Sequence, residues 1–426
     1  MSSARYPAYQ SSDWPTFNEL PAHWRVVRGR HLVTIQTGSG DTVDAEDGGQ
    51  YPFYVRSDTP LRSSGWEFDT RAVLTAGDGA GVAKVFHLVS GKFMAHQRVY
   101  VLHDFREVTP EFFFYAFRSM FYLMALDGSA KSTVDSVRRH MIADMPFGIP
   151  PIDEQLAIAG YLDHETTQID ALVAKQEELI RHLGERRLAV ITTTALRGLR
   201  GEEAGQHDVK RWGSSLAVEP WLARAPRSWG VERFKTVCPP RDERNVAGTE
   251  LMLSLTVKGL LIDRSTMAIQ QNASDASIPR YFVTRPGDLV VNPMWLTGGA
   301  IGVSDKRGAV SPDYRVFEIA KALDPWYLHA VLRSAPYFDQ YRLYTRSNTT
   351  FDRRIKQNDL DNLPLPIPPI DEQHAIVEHI DEQTSRIDAL IAKAEEHIAL
   401  AKERRSALIT AAVTGQIDIR TARKAS

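Results

Sequence analysis

The heptapeptide IPPIDEQ occurs twice in this chain, at Ile149–Gln155 and at Ile367–Gln373, 218 positions apart. When residues 149–194 are aligned with residues 367–412 at that offset, 26 of the 46 positions are identical without a gap. Self-similarity at one fixed offset indicates an internal duplication. Each copy continues into a segment whose apolar residues alternate between spacings of three and four, which predicts a long helix with a coiled-coil seam.

Signals for the start and the end of a helix flank both copies. Proline cannot lie inside a helix but can precede one, so the proline pair of each heptapeptide marks the entry. Asp153 and Asp371 are then expected as N-caps, and Gly198 and Gly415 as the residues at which the helices stop. About 40 residues at ~1.5 Å each give a helix ~60 Å long.

A single helix of this kind exposes its apolar stripe and therefore needs a partner. The duplicate helix in the same chain is the favoured partner, and an antiparallel pair suits two copies that are separated by a compact segment. This arrangement would have pseudo-twofold symmetry, with one variable domain at each end of a helical rod. Packing against another protein, or in a homodimer, remains the alternative.

The repeat divides the chain into alternating variable and constant segments. A weaker similarity at an offset of 205 relates Pro21, Trp24, Val26 and Arg28 to Pro226, Trp229, Val231 and Arg233. Short β-type runs at 72–75, 84–88, 98–102, 288–292 and 314–319, with aromatic helices at 111–124 and 325–332, indicate an α+β fold for the variable segments. The predicted domains are 15–148, a helix at 149–198, a linker at 199–219, 220–366, and a helix at 367–416.

Composition restricts the class of protein. The 426 residues carry a formal net charge of -2, so the total charge does not indicate nucleic-acid binding, although local patches still can. Cys238 is the single cysteine, which excludes an intramolecular disulfide and makes a zinc site unexpected. Neither a run of 18 apolar residues nor a signal peptide is recognisable, so we expect a cytoplasmic protein without membrane contact.

Motifs that would indicate an enzyme are missing from the sequence. It contains no G-x-x-x-x-G-K-[ST], H-E-x-x-H or G-x-S-x-G pattern and no Cys/His cluster. Asn292–Trp295, NPMW, is similar to the Asn-Pro-Pro-aromatic tetrapeptide of adenine methyltransferases, but Met294 replaces the second proline and no glycine-rich nucleotide fold precedes it. The end of a strand is the favoured interpretation. We expect no catalytic residue and no bound metal or cofactor in this chain.

The whole pattern resembles a known family. The PPIxEQ motif, a long helix ending in ERR-x-x-x-I-T, and duplication around two divergent segments resemble the specificity (S) subunits of Type I restriction–modification systems. In the second variable segment, GDLVVNPMW at 287–295, GAIGVS at 299–304 and GAVSPDYRVF at 308–317 are similar to strands of target-recognition domains in this family. In the first, only Gly77-Asp78 and Arg98-Val99-Tyr100 match.

The resemblance implies a division of labour. Each target-recognition domain would read one half of a split sequence in double-stranded DNA, and the two antiparallel helices would form the coiled coil between the domains. The helices would set the spacer and dock two methyltransferase (M) subunits, which use S-adenosylmethionine. Restriction (R) subunits, which use ATP, would complete a nuclease for phage defence. The S subunit itself would be non-catalytic.

Two polar, basic stretches just before the IPPIDEQ copies are the candidate DNA contacts, because phosphates and base edges are bound by Lys, Arg and small polar side chains. The candidates are Lys131, Ser132, Thr133, Arg138 and Arg139 in the first half, and Arg346, Ser347, Asn348, Arg353, Arg354 and Lys356 in the second. Solvated loops are the alternative. The glycine-rich residues 36–42 are interpreted as a turn, and Trp295 as a core residue.

The repeated Glu-Arg-Arg triplets are candidates for partner binding. They comprise Glu185, Arg186, Arg187, Glu403, Arg404 and Arg405. Salt bridges across the coiled coil would explain them equally well.

Other functions remain open at this stage. The chain could serve a methylation-only or phage-exclusion system without a nuclease, or it could be a structural adaptor that spaces two protein-binding domains. A stand-alone methyltransferase is disfavoured, because it would have to bind S-adenosylmethionine by itself. Salt-sensitive DNA binding distinguishes the sequence-reading subunit from the adaptor.

Overall fold

The computed structural model describes residues 5–12, 19–79, 84–127, 136–199, 205, 207, 217–267, 277–345 and 354–422. The chain forms two compact units, the first made of Met1–Glu177 with Glu395–Ser426 and the second of Glu178–Ala394. Each unit therefore combines one variable segment with one end of both repeated helices. Most of the predicted linker at 199–219 lies outside the described residues, and the predicted domain limits stay a prediction.

The first unit is an α+β assembly. In chain order, its strands are β1 (Tyr9–Ser11), β2 (Glu19–Pro21), β3 (Arg25–Arg28), β4 (Thr34–Thr37), β5 (Tyr51–Tyr54), β6 (Leu61–Ser63), β7 (Phe68–Asp69), β8 (Ala72–Ala76), β9 (Phe86–Val89), β10 (Lys92–Ala95), β11 (Val99–His103) and β12 (Pro146–Ile149). Its helices are α1 (Gly29–Leu32), α2 (Pro110–Asp127), α3 (Arg139–Ala143) and the first part of α4 (Ile152–Arg197).

Two four-stranded sheets and the helix α2 organise this unit. One sheet has the order β6-β5-β10-β7 and the other β4-β11-β8-β9. The β5–β10 pair is parallel, and every other pair in the two sheets is antiparallel. Every residue of β8 is buried, and the phenylalanines of α2, among them Phe113 and Phe117, pack in the same core as Phe147 of β12. A helix that is apolar on most faces is stable only inside such a core.

The second unit repeats this plan with shorter strands. Its strands are β13 (Gly230–Arg233), β14 (Leu253–Leu255), β15 (Leu261–Asp263), β16 (Phe282–Thr284), β17 (Leu289–Val291), β18 (Ile301–Val303), β19 (Gly308–Val310), β20 (Arg315–Phe317) and β21 (Pro364–Ile367). Its helices are α5 (Glu219–Leu222), α6 (Phe234–Val237), α7 (Pro325–Leu332), α8 (Ala335–Tyr344), α9 (Gln357–Asp361) and the first part of α10 (Ile370–Val413). The chain continues past α10 into α11 (Ile419–Ala422) in the first unit.

The central sheet of the second unit has the order β18-β17-β20, all antiparallel, with β17 fully buried like β8. Short 3-10 turns lie at Thr42–Asp44, Arg264–Thr266, Ile278–Arg280 and Leu296–Gly298. The β-type runs predicted from the sequence all contain a strand, with shifts of at most two residues at their ends. The helix predicted at 325–332 is confirmed as α7, whereas α8 was not predicted.

A strand pair connects each variable segment to its repeated helix. β3 pairs antiparallel with β12, and β13 pairs in the same way with β21. β12 and β21 lead directly into α4 and α10, and β3 and β13 contain the last two matched residues of the weaker repeat at the 205-residue offset. The two sequence repeats are therefore halves of one structural frame, which occurs once in each unit.

Each unit pairs the start of one long helix with the end of the other. In the first unit, Ile158 and Leu162 of α4 share a core with Ile409 and Ala412 of α10. In the second unit, Leu196 of α4 shares a core with Ile376 and Ile380 of α10. The predicted antiparallel pairing of the repeated helices is thus confirmed.

The predicted N-caps are wrong by two residues. The helices begin at Ile152 and Ile370, directly after the prolines, and the N–H of Gln155 already donates to the Pro151 carbonyl at 3.0 Å. Asp153 and Asp371 lie inside the first turn, where the positive end of the helix dipole still favours them.

Candidate nucleic-acid interface

The glutamate of each IPPIDEQ copy receives an indole N–H from its own unit. Nε1 of Trp24 donates to Oε1 of Glu154 at 3.1 Å, and Nε1 of Trp229 donates to Oε2 of Glu372 at 3.0 Å. Glu154 also accepts from the hydroxyl of Tyr6 at 2.6 Å. Burial and this bond to a carboxylate raise the pKa of Tyr6. A glutamate in the first turn is favoured by the helix dipole. Each of these glutamates also bonds to side chains of the variable segment, which is a second reason for its presence in both copies.

The glutamine of each copy fixes the loop that precedes the apolar helix of its unit. Both glutamine side chains are fully buried. Oε1 of Gln155 accepts from the N–H of Thr109 at 2.7 Å, and its Nε2 donates to the Glu107 and Pro150 carbonyls. Gln373 repeats this set at 2.6 Å with Asp324, and with the carbonyls of Ala322 and Pro368. These residues hold a variable segment firmly on the start of its helix.

The basic stretches before IPPIDEQ are described only in part. Lys131, Ser132, Thr133, Arg346, Ser347, Asn348 and Arg353 lie outside the described residues. Arg138, Arg139, Arg354 and Lys356 are described, and all four are exposed. Within the described part of the chain, Arg138, Arg139 and Lys356 have no acidic partner, whereas Arg354 contacts Asp313 at 3.4 Å. The first three are thus available to a phosphate.

Both stretches end at the same place in their units. The N–H of Val137 donates to the carbonyl of Gly77 after β8, at 2.7 Å, and the N–H of Ile355 donates to that of Pro293 after β17, at 3.1 Å. The strand next in the sheet contributes a second bond, from the Tyr100 hydroxyl to the Val137 carbonyl at 3.1 Å. The ends of the two basic stretches are therefore placed equivalently, at the end of a central strand.

In the first unit, Arg139 borders a cationic cleft of about 700 Å³. Arg30, Arg106 and His140 line the same cleft, together with Asp144, which pairs with Arg30. Arg139 also lines an adjoining cleft beside Gln36 and Tyr100. Arginines around a concave surface concentrate positive potential, as binding of a phosphate backbone requires.

In the second unit, the prediction for Trp295 is wrong. Its side chain is 52% exposed, beside a cleft of about 430 Å³ that Arg264, Met294 and Tyr314 also line. Trp295 follows the end of β17, so its side chain leaves the sheet instead of entering the core. Nε of Arg354 lies 3.4 Å from the Met294 sulfur. An exposed indole beside an arginine suits stacking or cation–π contact with a base.

The interpretation of NPMW as a strand end is confirmed. β17 ends at Val291, and the Asn292 side-chain oxygen accepts from the N–H of Met294 at 3.1 Å. This local turn accounts for the asparagine without any role in methyl transfer.

The glycine-rich turn at 36–42 uses its backbone donors internally. The N–H groups of Gly38 and Gly40 donate to the carbonyls of Val99 and Ala95, and that of Ser39 to Glu67. A Cβ at Gly38 would lie 2.0 Å from the Ala95 oxygen, which explains why glycine is needed there. These N–H groups are not available to a phosphate.

The repeated Glu-Arg-Arg triplets divide into two kinds of residue. Nε of Arg187 lies 2.9 Å from Asp388, and Nε of the equivalent Arg405 lies 2.9 Å from Asp170. An ion pair across the helices therefore accounts for the last arginine of each triplet. Arg186 and Arg404 are exposed, as are Glu185 and Glu403, of which Glu185 pairs with Arg181 on its own helix.

Neither a membrane span nor a metal-binding cluster occurs among the described residues. None of the helices described is long and apolar enough to cross a membrane. Nowhere in the described ranges do three or more His, Cys, Asp or Glu residues come together in a group that could hold a metal ion.

The fold defines a class: a duplicated α+β protein whose two units each hold one variable segment on the ends of both repeated helices. Residues 21–181 match the family described as Type I restriction modification DNA specificity domain. The chain is 26% identical over 412 residues to the Type I restriction enzyme EcoDI specificity subunit of Escherichia coli, covering 94% of this chain and 90% of that protein. It is 23% identical to the EcoBI specificity subunit of the same organism, covering 72% and 65%.

A solved structure shares the fold along most of the chain. It was described under the heading of complex assembly and conformational transition of the type I R-M system, and its matching chain has a TM-score of 0.61 at 19% identity, covering 93% of this chain and 99% of that one. The resemblance inferred from the motifs is confirmed. Residues 21–181 are similar to the Type I restriction modification DNA specificity domain, and the chain along most of its length is similar to a Type I specificity subunit.

Proposed function

We propose that the chain reads a bipartite target in double-stranded DNA and presents it to methyltransferase and restriction subunits. The observation that carries this proposal is the equivalent placement of the two basic stretches, which end at the same strand position in units built on the same frame. Each unit would read one half-site. The sequences of the variable segments differ, so the half-sites would differ too.

The helices would dock two methyltransferase subunits and set the spacer between the half-sites. Leu172 and Leu390 are equivalent in the repeat and both are about half exposed, at 47% and 53%. Arg186 and Arg404 are equivalent and exposed as well. Contacts within the chain do not explain why these side chains occur twice. A surface present twice fits two copies of one partner, which supports docking of methyltransferase subunits.

Catalysis would belong to the partner subunits, which would bind S-adenosylmethionine and ATP. This chain would contribute positioning alone, in agreement with a sequence that lacks nucleotide-binding motifs.

The direct test is to sequence methylated adenines in cells that express the methyltransferase subunit with and without this chain. We expect a split motif with a fixed spacer, methylated only when the chain is present. Methylation of that motif without the chain, or an unsplit motif, would refute the proposal. Calorimetry should detect binding of S-adenosylmethionine to the methyltransferase subunit and not to the isolated chain.

Removing the exposed arginines of the first unit should weaken DNA binding. For the assembled complex, the Arg138→Ala/Arg139→Ala double variant is expected to bind DNA about 10-fold more weakly at physiological salt. The slope of log affinity against log salt should fall by about one for each phosphate that is no longer neutralised. Fluorescence anisotropy across a salt series measures both. Lys175→Ala, at an exposed position of α4, is the matched control and should leave affinity and slope unchanged.

Removing the exposed indole of the second unit should also weaken binding, by a different route. Trp295→Ala is expected to reduce affinity by about 5- to 30-fold, because stacking on a base contributes ~1–3 kcal/mol. The salt slope should stay the same, since no charge is removed. Thermal unfolding should change little because the side chain is mostly exposed. A large fall in Tm would instead indicate that Trp295 packs in the core.

A further inference from the structure

The two units can be compared residue by residue along α2 and α7. Gln155 accepts from the N–H of Thr109, and the equivalent Gln373 accepts from the N–H of Asp324. Asp324 lies 215 positions after Thr109. The same offset aligns Pro110 with Pro325, the first residues of α2 and α7, and also Arg118 with Arg333 and Ser119 with Ser334. Two hydrogen bonds and three identical residues therefore fix the register.

In this register, the residues on one face of the helix differ between the units, for example at two positions. Tyr115 of α2 corresponds to Ala330 of α7, and Glu111 corresponds to Trp326. The two positions are four residues apart and so lie on the same side of the helix.

In the first unit, a tyrosine fills the space between α2 and α4. Tyr115 is buried, and its hydroxyl donates to Oδ1 of Asp163 at 2.6 Å and lies 3.4 Å from Oγ1 of Thr166. Burial, together with the bond to Asp163, raises the pKa of Tyr115 to about 12. At the edge of this contact, Glu111 forms an ion pair with Arg71. This side of the first unit is closed and its rim is charged.

In the second unit, the same space is open. Asp381 and Thr384 are the repeat equivalents of Asp163 and Thr166, and they line a cleft of about 670 Å³ together with Ala330. Thr384 is buried, and its hydroxyl donates to the Ile380 carbonyl at 2.8 Å. Within the described residues, the carboxylate of Asp381 has no ion-pair partner. The groups that hold a tyrosine in one unit thus face an unfilled cleft in the other.

Two large apolar side chains are exposed at this cleft. Trp326 and Leu260 line it with about half of their surfaces exposed, at 45% and 53%, beside the charged side chains of Lys258 and Arg187. Val257, whose carbonyl accepts from Arg333, is exposed beside them. Nε2 of His329, also in the lining, is buried and without a hydrogen-bond partner among the described atoms. An open cleft with polar groups inside and an aromatic rim is typical of a site that receives an anchoring side chain.

We propose that this cleft receives a tyrosine side chain of a docked methyltransferase subunit, with its hydroxyl donating to Asp381. The inference rests on the proposed function, which supplies the partner. The occupant follows from the chain's own first unit, where a tyrosine already occupies the equivalent position. The second unit would therefore hold its partner by a contact that the first unit makes internally.

The test transfers the first unit's residues into the second. Ala330→Tyr should fill the cleft from within, and Trp326→Glu should replace its exposed indole by the glutamate of the first unit. Binding of the methyltransferase subunit to the second unit is expected to weaken at least ~30-fold in the double variant, since a buried aromatic anchor contributes ~2 kcal/mol or more. Sedimentation with purified methyltransferase subunit measures this weakening. Leu343→Glu, an exposed apolar residue of α8 outside the cleft lining, is the control and should not change binding.

A small-molecule probe tests the cleft without the partner. By ligand-observed NMR, p-cresol should bind the wild-type chain about 10-fold more tightly than toluene, which lacks the hydroxyl group. Ala330→Tyr should abolish this binding, and its Tm should not fall, because the substitution reproduces a contact that the chain already makes. Equal binding of p-cresol to wild type and variant would overturn the proposal.

The outcomes distinguish the tyrosine site from the proposed function. If the wild type assembles with the methyltransferase subunit and the double variant assembles equally well, the tyrosine site is wrong while the proposed function stands. If the wild type does not assemble at all, both fail. If the substitutions instead dissociate a homodimer of this chain, the occupant is a second copy and the proposal is overturned.

Discussion

Replacing Gln373 by leucine is expected to lower the free energy of unfolding of the second unit by about 3–5 kcal/mol. The side chain is fully buried and bonds to the N–H of Asp324 and to the carbonyls of Ala322 and Pro368. Leucine fills a similar volume but pairs with none of these groups. Leaving a buried donor or acceptor unpaired costs ~1–3 kcal/mol, and three such groups are affected.

Amide hydrogen exchange measures this destabilisation in each unit separately. Protection of the amides in β13 and β21 should fall, while that of β3 and β12 in the first unit should be retained. Gln155→Leu should show the opposite pattern. The matched control is Gln168→Leu, an exposed glutamine of α4 whose side chain bonds to the exposed His164, and its effect should stay within about 0.5 kcal/mol. Equal protection in Gln373→Leu and the control would mean that the glutamine is not what holds the segment to the helix.

The duplication and the helices could be predicted from the sequence because their signals are local. The alternation of apolar residues and the proline and glycine boundaries depend only on neighbouring positions. The role of Gln155 could not be predicted in this way, because its partners, Glu107 and Thr109, are 48 and 46 residues away and lie outside the repeat. The repeat identifies Gln155 and Gln373 as equivalent residues, and the structure identifies the backbone groups to which they bond.

The candidate DNA contacts stay a prediction. Basic composition directed attention to Arg139 and Lys356, which are exposed and without acidic partners in the described residues. Trp295 was assigned to the core because aromatic residues next to a strand usually pack there. Its exposure depends on where β17 ends, and strand ends are the least certain part of a sequence-based assignment. The relation of Tyr115 to Ala330 was not predicted, since three identical residues in segments with little shared sequence identify the register only together with the contacts of Gln155 and Gln373.

Inserting four residues into both long helices is expected to abolish methylation of the native motif and to create a motif whose spacer is longer by one or two base pairs. The insertion sites are after Glu178 and after Glu396, which are equivalent in the repeat. Equal insertions at these two sites leave the ion pair within each unit intact, Arg187–Asp388 in the second unit and Arg405–Asp170 in the first. Four helical residues add ~6 Å and a net rotation of ~40°, and one base-pair step adds ~3.4 Å and a rotation of ~35°.

Rotation is what distinguishes this prediction from a simple change in length. Seven inserted residues would keep the apolar stripe in phase and add ~10.5 Å with almost no net rotation, whereas three further base pairs turn the second half-site by ~100°. The seven-residue variant should therefore lose methylation at motifs of every spacer length. A control that replaces residues 179–182 and 397–400 by the inserted sequence, at unchanged length, should methylate the native motif. Because α4 and α10 each begin in one unit and end in the other, a spacer that stayed unchanged after the four-residue insertion would mean that helix length does not set it.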